Sequence, residues 1–474
     1  MFAKFIHITA AAAIFLSMVG SNLAQEEASA KNTKTATEKE IQKTLERAPV
    51  GEKGDPLESD KSDSAKTDDN KPVVRRRIVD AKTLKKRRSK VGGFLMKPFR
   101  SIAPAVTARI TQFEENKEYA ILFGPTNLPV SPFFGSVSEG SGAGIGVAGT
   151  TKDSLSKDFR IFGSSAITTK HYIRNNVGFE ITPEKFSKNK LKIKLVAEQL
   201  VQPEQHFFGS GIESSQSSET TFFHRQSGAR LSVDFQINDK LKFGAFSEFT
   251  RNDITEGSDS DENTISESFN AVTLPGLERN VRLLNTGAYV QVEDLDKSEN
   301  PRAGWFTKFV FSNVDSVGRG RFGWRNYKVD SRAYIPIGTK NRVVALRLLG
   351  DFKDTNGDAS AVPFFRFARL GDSQTLRGYE TFRFQGVNSL HLNLEYRFRL
   401  MQGFETSGIT GVEGVFFGDF GQVFNKREEL KFRNIRSTWG GGLRFTTKES
   451  VALSMLYGRS PEGGRLILSF GKTF

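Results

Sequence analysis

Residues 390–400 read LHLNLEYRFRL, a stretch in which apolar and polar side chains alternate at every position. Successive side chains of a β-strand point to opposite faces of the sheet. The pattern therefore predicts a strand with one apolar face and one charged face. Residues 229–237 (ARLSVDFQI) and 191–195 (LKIKL) repeat it. About ten residues in this pattern are enough for a tilted strand to cross a bilayer.

Segments of this kind, separated by Gly, Asn, Asp, Ser and Lys, continue from residue 94 to residue 474. The chain has 42 Phe but only 37% hydrophobic residues, which suits a sheet with lipid on one face and water on the other. Lipid offers no hydrogen bonds to the backbone, so such a sheet must close on itself. The sequence predicts an all-β fold, a closed antiparallel transmembrane β-barrel of roughly 16 strands with a polar lumen. A water-soluble sandwich of two sheets is the alternative.

The N-terminal residues predict export from the cytoplasm. Residues 1–24 have the features of a secretory signal peptide, with Lys4, an apolar stretch at 8–19 and a small residue for cleavage at Ala24. Residues 28–30 (ASA) are an alternative cleavage site. A membrane anchor is the alternative, although this apolar stretch is too short to span a bilayer. We therefore expect residues 1–24 to be removed.

Residues 25–93 contain no Phe, Tyr or Trp, so they cannot bury enough apolar surface to fold. We predict a disordered, charged periplasmic tail here and the barrel domain at 94–474. Within the tail, residues 75–90 carry nine basic residues against one acidic residue. This basic segment would dock on anionic lipid head groups or on a periplasmic partner, or it is an ordinary solvated linker. The basic residues that we single out are Arg75, Arg76, Arg77, Lys85, Lys86, Arg87 and Arg88.

The composition argues against catalysis. Zero Cys excludes disulfides, thiol nucleophiles and cysteine-ligated metals. The five His show no metal-site spacing, and no GxSxG motif marks a hydrolase. A GxGxxG pattern at 144–149 belongs to a run in which Gly recurs with a period of two, which indicates a strand and not a nucleotide loop. We predict no enzyme activity, no cofactor, no metal and, for an exported chain, no nucleic-acid partner. A phospholipase or protease constellation at the rim of the lumen is the alternative.

Four motifs, in this order, resemble the BamA/TamA superfamily of outer-membrane assembly proteins, also called bacterial surface antigens. They are an aromatic-glycine segment at 206–211 (HFFGSG), a strand start at 300–305 (NPRAGW), the stretch 370–379 (LGDSQTLRGY) and an acidic strand at 417–421 (FGDFG). The likeness extends from residue 130 to the end of the chain. It implies an outer-membrane barrel that handles protein or lipid substrates.

The most informative motif consists of Leu376, Arg377, Gly378 and Tyr379. In the superfamily the corresponding loop folds back into the lumen, where its arginine meets acidic residues of the wall. The resemblance implies that Arg377 pairs with Asp419, with Glu395 as a second candidate. A guanidinium in a confined space needs carboxylate partners, and Gly378 permits a sharp turn. From the residues alone, Arg377 would be an ordinary solvent-exposed loop residue.

The resemblance also assigns roles to the two ends of the barrel. A glycine-rich first strand would weaken its seam with the last strand, where substrates pair in active relatives; its residues are Gly140, Gly142, Gly144 and Gly146. The alternative is close backbone packing near the plugging loop. The last strand, 465–474 (RLILSFGKTF), contains Phe470 and ends in Phe474, the aromatic signal that outer-membrane assembly machinery reads, although Lys472 departs from the pattern.

Relatives that insert barrels or secrete substrates usually carry folded POTRA modules before the barrel. Residues 25–93 lack the aromatic and β-rich segments for even one module. We therefore expect a short member without POTRA modules, integral to the outer membrane and in contact with its lipids, including lipopolysaccharide. Its predicted function is to aid insertion or translocation of protein or lipid substrates at the outer membrane, and its expected partners include an unfolded barrel or a lipid substrate. The alternatives are a passive pore for small solutes and a structural barrel that binds a partner.

Overall fold

The computed structural model describes residues 130–151, 158–183, 191–257, 263–270, 274–277, 280–318, 320–402, 409–447 and 451–469. The predicted signal peptide, the tail with its basic segment, residues 94–129 and both Phe470 and Phe474 lie outside the described residues. The predictions for those parts of the chain stay predictions.

Strands dominate the described residues, as the alternating sequence predicts. They are β1 (Val130–Gly135), β2 (Gly144–Thr150), β3 (Phe159–Thr168), β4 (Ile173–Ile181), β5 (Leu191–Phe207), β6 (Thr220–Asn238), β7 (Leu241–Glu256), β8 (Asn263–Thr264), β9 (Val281–Leu295), β10 (Gly304–Ser316), β11 (Gly323–Ile337), β12 (Thr339–Asp354), β13 (Ala368–Leu370), β14 (Phe384–Gly386), β15 (Asn388–Gln402), β16 (Gly411–Phe424), β17 (Arg436–Thr446), β18 (Val451–Ser460) and β19 (Gly463–Ser469). The one α-helix among these residues, α1, is Ile265–Ser268. None of the helices in the described ranges has the length and hydropathy that a membrane span requires.

One sheet of 17 strands contains all of these strands except β13 and β14, which pair with each other. The two residues of β8 run parallel to β6. Every other pairing in the large sheet is antiparallel and joins neighbours along the chain, from β1–β2 through β7–β9 and β12–β15 to β18–β19. The predicted all-β, antiparallel fold is confirmed. Closure into a barrel stays a prediction, because no pairing between β1 and β19 occurs among the described residues.

In this sheet the polar side chains are buried and many apolar side chains are exposed, which is the reverse of the pattern in a water-soluble protein. On β15 the polar side chains of Asn393 and Glu395 are fully buried, whereas the apolar Leu394 and Leu400 are 38% and 51% exposed. We call the face with the buried polar side chains the inner face and the other the outer face. Exposed Leu, Ile, Val, Phe and Trp recur on most strands, with Phe416 at 62%. Apolar surface on this scale is stable only in apolar surroundings, because each Å² in water costs about 25 cal/mol.

The structure corrects the prediction for the glycine-rich segment. Residues 130–135 already form β1, so Gly144 and Gly146 belong to the second strand. Gly140 and Gly142 lie in the turn before it, with φ of +76° and +77°. A residue with a Cβ is strained at these angles, so glycine here serves the turn. On the strand, a Cβ at Gly146 would lie 2.5 Å from the Phe133 ring, which supports the close-packing alternative.

An arginine on the outer face tests whether that face meets lipid. We expect Leu394→Arg, at the middle of β15, to lower the free energy of unfolding by about 2–4 kcal/mol in lipid vesicles. Leu400→Arg, near the end of the same strand, should lower it by about 0–1 kcal/mol, because an interfacial charge stays hydrated. Urea titration of the refolded chain in vesicles measures both values. Equal, small losses at the two positions would mean that the outer face is in contact with water.

Candidate functional site

The long connection between β12 and β15, residues 355–387, folds onto the inner face of the sheet; we call it the inner loop. Its second half packs in an apolar cluster with neighbouring segments, formed by Ile212, Leu370, Leu376, Tyr379, Phe384 and Val423. Its first half places Phe364 against Phe207 and Phe222, with ring centroids 5.3 and 4.9 Å apart. These contacts fix the loop at both of its halves, so its charged residues are held in place.

Arg377, in the second half of the inner loop, is completely buried and pairs with Asp419 on β16. Its Nη2 donates to Oδ1 of Asp419 at 2.7 Å and its Nε donates to Oδ2 at 3.0 Å. The backbone N–H of Arg377 donates to Oδ2 as well, at 3.1 Å. A bidentate pair of this kind fixes orientation in addition to supplying charge-assisted hydrogen bonds. The backbone bond further ties the position of the loop to the same carboxylate.

Asp419 accepts two more hydrogen bonds from its neighbours in the sheet. Asn393 on β15 and Thr438 on β17 lie directly opposite Asp419 in the strand register. Asn393 Nδ2 donates to Oδ1 at 2.8 Å, and Thr438 Oγ1 donates to Oδ2 at 3.0 Å. The sheet itself therefore supplies a hydrogen bond to each oxygen of this buried carboxylate.

Glu395, two residues along β15 from Asn393, is the second carboxylate. Arg377 Nη1 donates to its Oε1, and Arg397 Nε donates to its Oε2 at 2.8 Å. The Arg377 guanidinium also lies 3.7 Å from the centroid of the Phe417 ring, within range of a cation–π interaction. Burial alone would lower the pKa of Arg377, but Asp419 and then Glu395 raise it above its usual value. Arg377 is therefore permanently charged in this site.

Gly378 brings the loop backbone against the sheet. A Cβ on Gly378 would lie 2.6 Å from the backbone carbon of Arg459 on β18, and a Cβ on Gly458 would lie 3.0 Å from the backbone of Arg377. The sharp turn that the sequence analysis expected at Gly378 is present, with the backbone N–H of Tyr379 donating to the carbonyl of Leu376 at 3.1 Å, but φ of Gly378 is not positive. Close approach of two backbones explains the glycine. Tyr379 turns into the apolar cluster, edge-on to Phe384 with centroids 4.9 Å apart.

The inner loop is also bonded to the last hairpin, β18–β19. Arg465 on β19 donates to the carbonyl of Tyr379 at 3.0 Å and to Oγ1 of Thr381 at 2.9 Å. Arg383 of the loop forms two bonds with Glu462, in the β18–β19 turn, at 2.8 and 2.9 Å. The sequence analysis did not identify these residues, because partners some 80 positions apart leave no local pattern.

At the other end of the sheet, the inner loop contacts the first hairpin, β1–β2. Ser373 Oγ donates to Glu139 in the β1–β2 turn at 2.6 Å. A Cβ on Gly140, in the same turn, would lie 3.1 Å from Thr381. Thr381 therefore has Arg465 of the last strand on one side and Gly140 of the first hairpin on the other. The inner loop bridges the two hairpins that end the sheet.

No set of three or more His, Cys, Asp or Glu suited to a metal ion occurs within the residues that the structure describes. The carboxylates of the site are instead paired with arginines. We expect the arrangement to hold a loop in place, since its charged groups satisfy one another.

We predict that Asp419→Asn loosens the inner loop and leaves the sheet folded. The substitution removes the charge opposite a buried guanidinium, and breaking such a pair costs about 3–5 kcal/mol. The loop arginines should then be cleaved faster by trypsin, while heat-modifiability of the refolded chain is retained. Glu380→Gln, which changes an exposed carboxylate of the same loop, is the control. Wild-type cleavage rates in Asp419→Asn would contradict the role of the pair.

The contact between the inner loop and the first hairpin should weaken as pH rises. Burial, and next the neighbouring Glu139, raises the pKa of Asp372 to about 6 from its usual value of 3.8. A carboxyl group whose pKa is raised on folding contributes stability below its unfolded pKa and loses it as pH rises through the folded value. Hydrogen exchange of residues 372–382, corrected for intrinsic rates, should show more protection at about pH 5 than at about pH 8. Asp372→Asn should remove this difference; an unchanged pH dependence in that variant would refute the assignment.

Comparison with known proteins agrees with this architecture. The fold is similar to that of "BamA from Haemophilus ducreyi lacking POTRA domains 1-3", with a TM-score of 0.52, 12% sequence identity, and coverage of 72% of this chain and 68% of that one. CdiB from Escherichia coli gives a TM-score of 0.45 at 14% identity, over 74% of this chain and 62% of that one. No curated protein matches the sequence.

At identities this low, structural similarity concerns the fold alone. Family membership rests on the sequence: the Omp85 superfamily domain matches residues 150–448, which is more than half of the chain and includes the inner loop with both of its carboxylate partners. The chain belongs to the Omp85 superfamily, the family that the order of its motifs predicts.

Proposed function

We propose that this chain is an integral outer-membrane β-barrel that aids insertion or translocation of protein or lipid substrates. The observation that carries the proposal is the inner loop, which is held on the inner face by Arg377 and bonded to both terminal hairpins. The chain's membership of the Omp85 superfamily and its fold similarity to BamA from Haemophilus ducreyi support the proposal. The chain would act without catalysis and without a cofactor.

The exposed apolar outer face supports a location within a bilayer. Sixteen strands follow one another in the sheet when the two-residue β8 is set aside. We propose that they close into a barrel by pairing of β19 with β1, since lipid leaves no partner for an open edge. The outer face would contact outer-membrane lipids, including lipopolysaccharide, and the inner face would line the lumen.

The terminal strands β1 and β19 would form the seam of the barrel. The edge of a terminal strand that leaves the seam presents unpaired backbone N–H and C=O groups, with which an extended substrate strand would pair. The inner loop contacts both edges, and its release from Arg465 or Glu139 would free them. Substrate would then pair by β-augmentation at the opened edge.

A passive pore for small solutes is the second candidate function. The inner face is rich in buried arginines, which would favour anions in a water-filled channel. The inner loop argues against a wide channel, because it occupies the inner face with a packed apolar cluster. A partner-binding role through the basic segment of the tail rests on residues that the structure does not describe.

Planar-bilayer recordings of the refolded chain separate the two functions. We expect a small, flickering conductance in the wild type and a clearly larger one in Arg377→Ala, because the loop loses its anchor on Asp419. Arg433→Ala, an exposed arginine between β16 and β17, should behave as the wild type. A large, steady conductance that does not depend on Arg377 would favour the pore.

Insertion is measured directly in proteoliposomes that contain the refolded chain and receive a denatured outer-membrane barrel as substrate. We expect the folded, protease-resistant fraction of the substrate to exceed that in empty liposomes and in liposomes with a refolded porin. Equal folded fractions in liposomes with this chain, in empty liposomes and in liposomes with the porin would contradict the insertion proposal, whatever conductance is measured.

A further inference from the structure

Arg444 on β17 is a charged residue that the inner loop does not use. It is 1% exposed on the inner face, and none of its three guanidinium nitrogens has a hydrogen-bond partner within the described residues. A buried charge without hydrogen bonds costs several kcal/mol, so such groups normally have a partner. An unsatisfied guanidinium at this depth indicates that something completes the site.

The carboxylate directly opposite Arg444 is already engaged. In the strand register, Glu413 of β16 lies between Arg444 of β17 and Arg399 of β15. Glu413 forms its ion pair with Arg302, which enters from the turn between β9 and β10, although neither carboxylate oxygen forms a hydrogen bond within the described residues. Arg399 leaves its Nε without a hydrogen-bond partner in the described part of the chain. Arg399 and Arg444 therefore lie on either side of Glu413, whose negative charge is already balanced by Arg302.

The other nearby carboxylate is engaged as well. Glu395, which acts electrostatically on Arg444, accepts from Arg377 and Arg397. Asp296, close to Arg302, is paired with Lys340 at 2.9 Å. Among the described residues of this connected cluster, five guanidinium groups face three carboxylates, an excess of two positive charges. The groups are Arg302, Arg377, Arg397, Arg399 and Arg444 with Glu395, Glu413 and Asp419.

We propose that Arg444, together with Arg399, binds a phosphate group on the inner face. The excess of two positive charges matches a phosphate dianion, and the planar guanidinium matches the spacing of its oxygens. The site lies on the ends of β15–β17 away from the inner loop's hairpin contacts, next to the turn that carries Arg302. Inorganic phosphate and the phosphate head group of a lipid share this chemistry. The inference rests on the described side chains and is independent of the insertion activity proposed above.

Isothermal titration calorimetry on the full refolded chain, in phosphate-free detergent, tests the site with inorganic phosphate as the probe. We expect saturable binding to the wild type and at least about a tenfold loss of affinity in Arg444→Gln, the usual cost of a hydrogen bond to a charged group. Arg399→Gln should also weaken phosphate binding. If Arg444→Gln does not fold, the affinity of Arg399→Gln is compared with that of the wild type instead. Arg282→Gln, an exposed arginine of β9, is the matched control and should bind as the wild type.

A parallel titration with short-chain phosphatidic acid identifies the source of the phosphate. Comparable affinity for both probes supports the site with the free anion as ligand, and much tighter binding of the lipid supports it with a lipid head group. Absence of binding by either probe would overturn the proposal. Binding that is equal in the wild type, Arg444→Gln and Arg399→Gln would overturn it as well, because the anion would then be held elsewhere.

Discussion

The charge pair between Arg377 and Asp419 is the interaction on which the inner face depends. A guanidinium placed in a dry interior is tolerated only when carboxylates and hydrogen bonds neutralise it. Three adjacent strands therefore place Asn393, Asp419 and Thr438 directly opposite one another in the strand register. The loop that carries Arg377 is bonded to Asp419, and in that position it also contacts the first and last hairpins.

The inverted amphipathicity of the strands is the second constraint. Alternation by itself says only that two faces differ, and it is the same in a soluble sandwich and in a membrane barrel. What distinguishes them is which face is covered. Here Glu395 is buried while Leu394 beside it is exposed, because the inner loop covers the polar face. Apolar surroundings for the other face are then required by the cost of hydrating it.

The two glycine segments show which features a local sequence pattern predicts and which depend on contacts between distant parts of the chain. The period of two at Gly144 and Gly146 indicated a strand, and a strand forms there. Its order in the sheet was wrong, because the β1 segment, residues 130–135 with their proline, has no comparable alternation. At Gly378 the expected turn forms, but contact with the backbone of Arg459 explains the glycine itself, a feature that no residue near Gly378 encodes.

The sequence by itself determined the strands, their two chemically distinct faces and the superfamily, because side-chain period and motif order are local properties. Through the resemblance it also named Asp419 and Glu395 as partners of Arg377. Only the tertiary structure decided that Arg465 and Glu139 contact one loop from opposite ends of the sheet, and that Arg444 faces a carboxylate already engaged by Arg302. These contacts depend on strand register and on the path of the loop, which are set by the packing of the whole sheet.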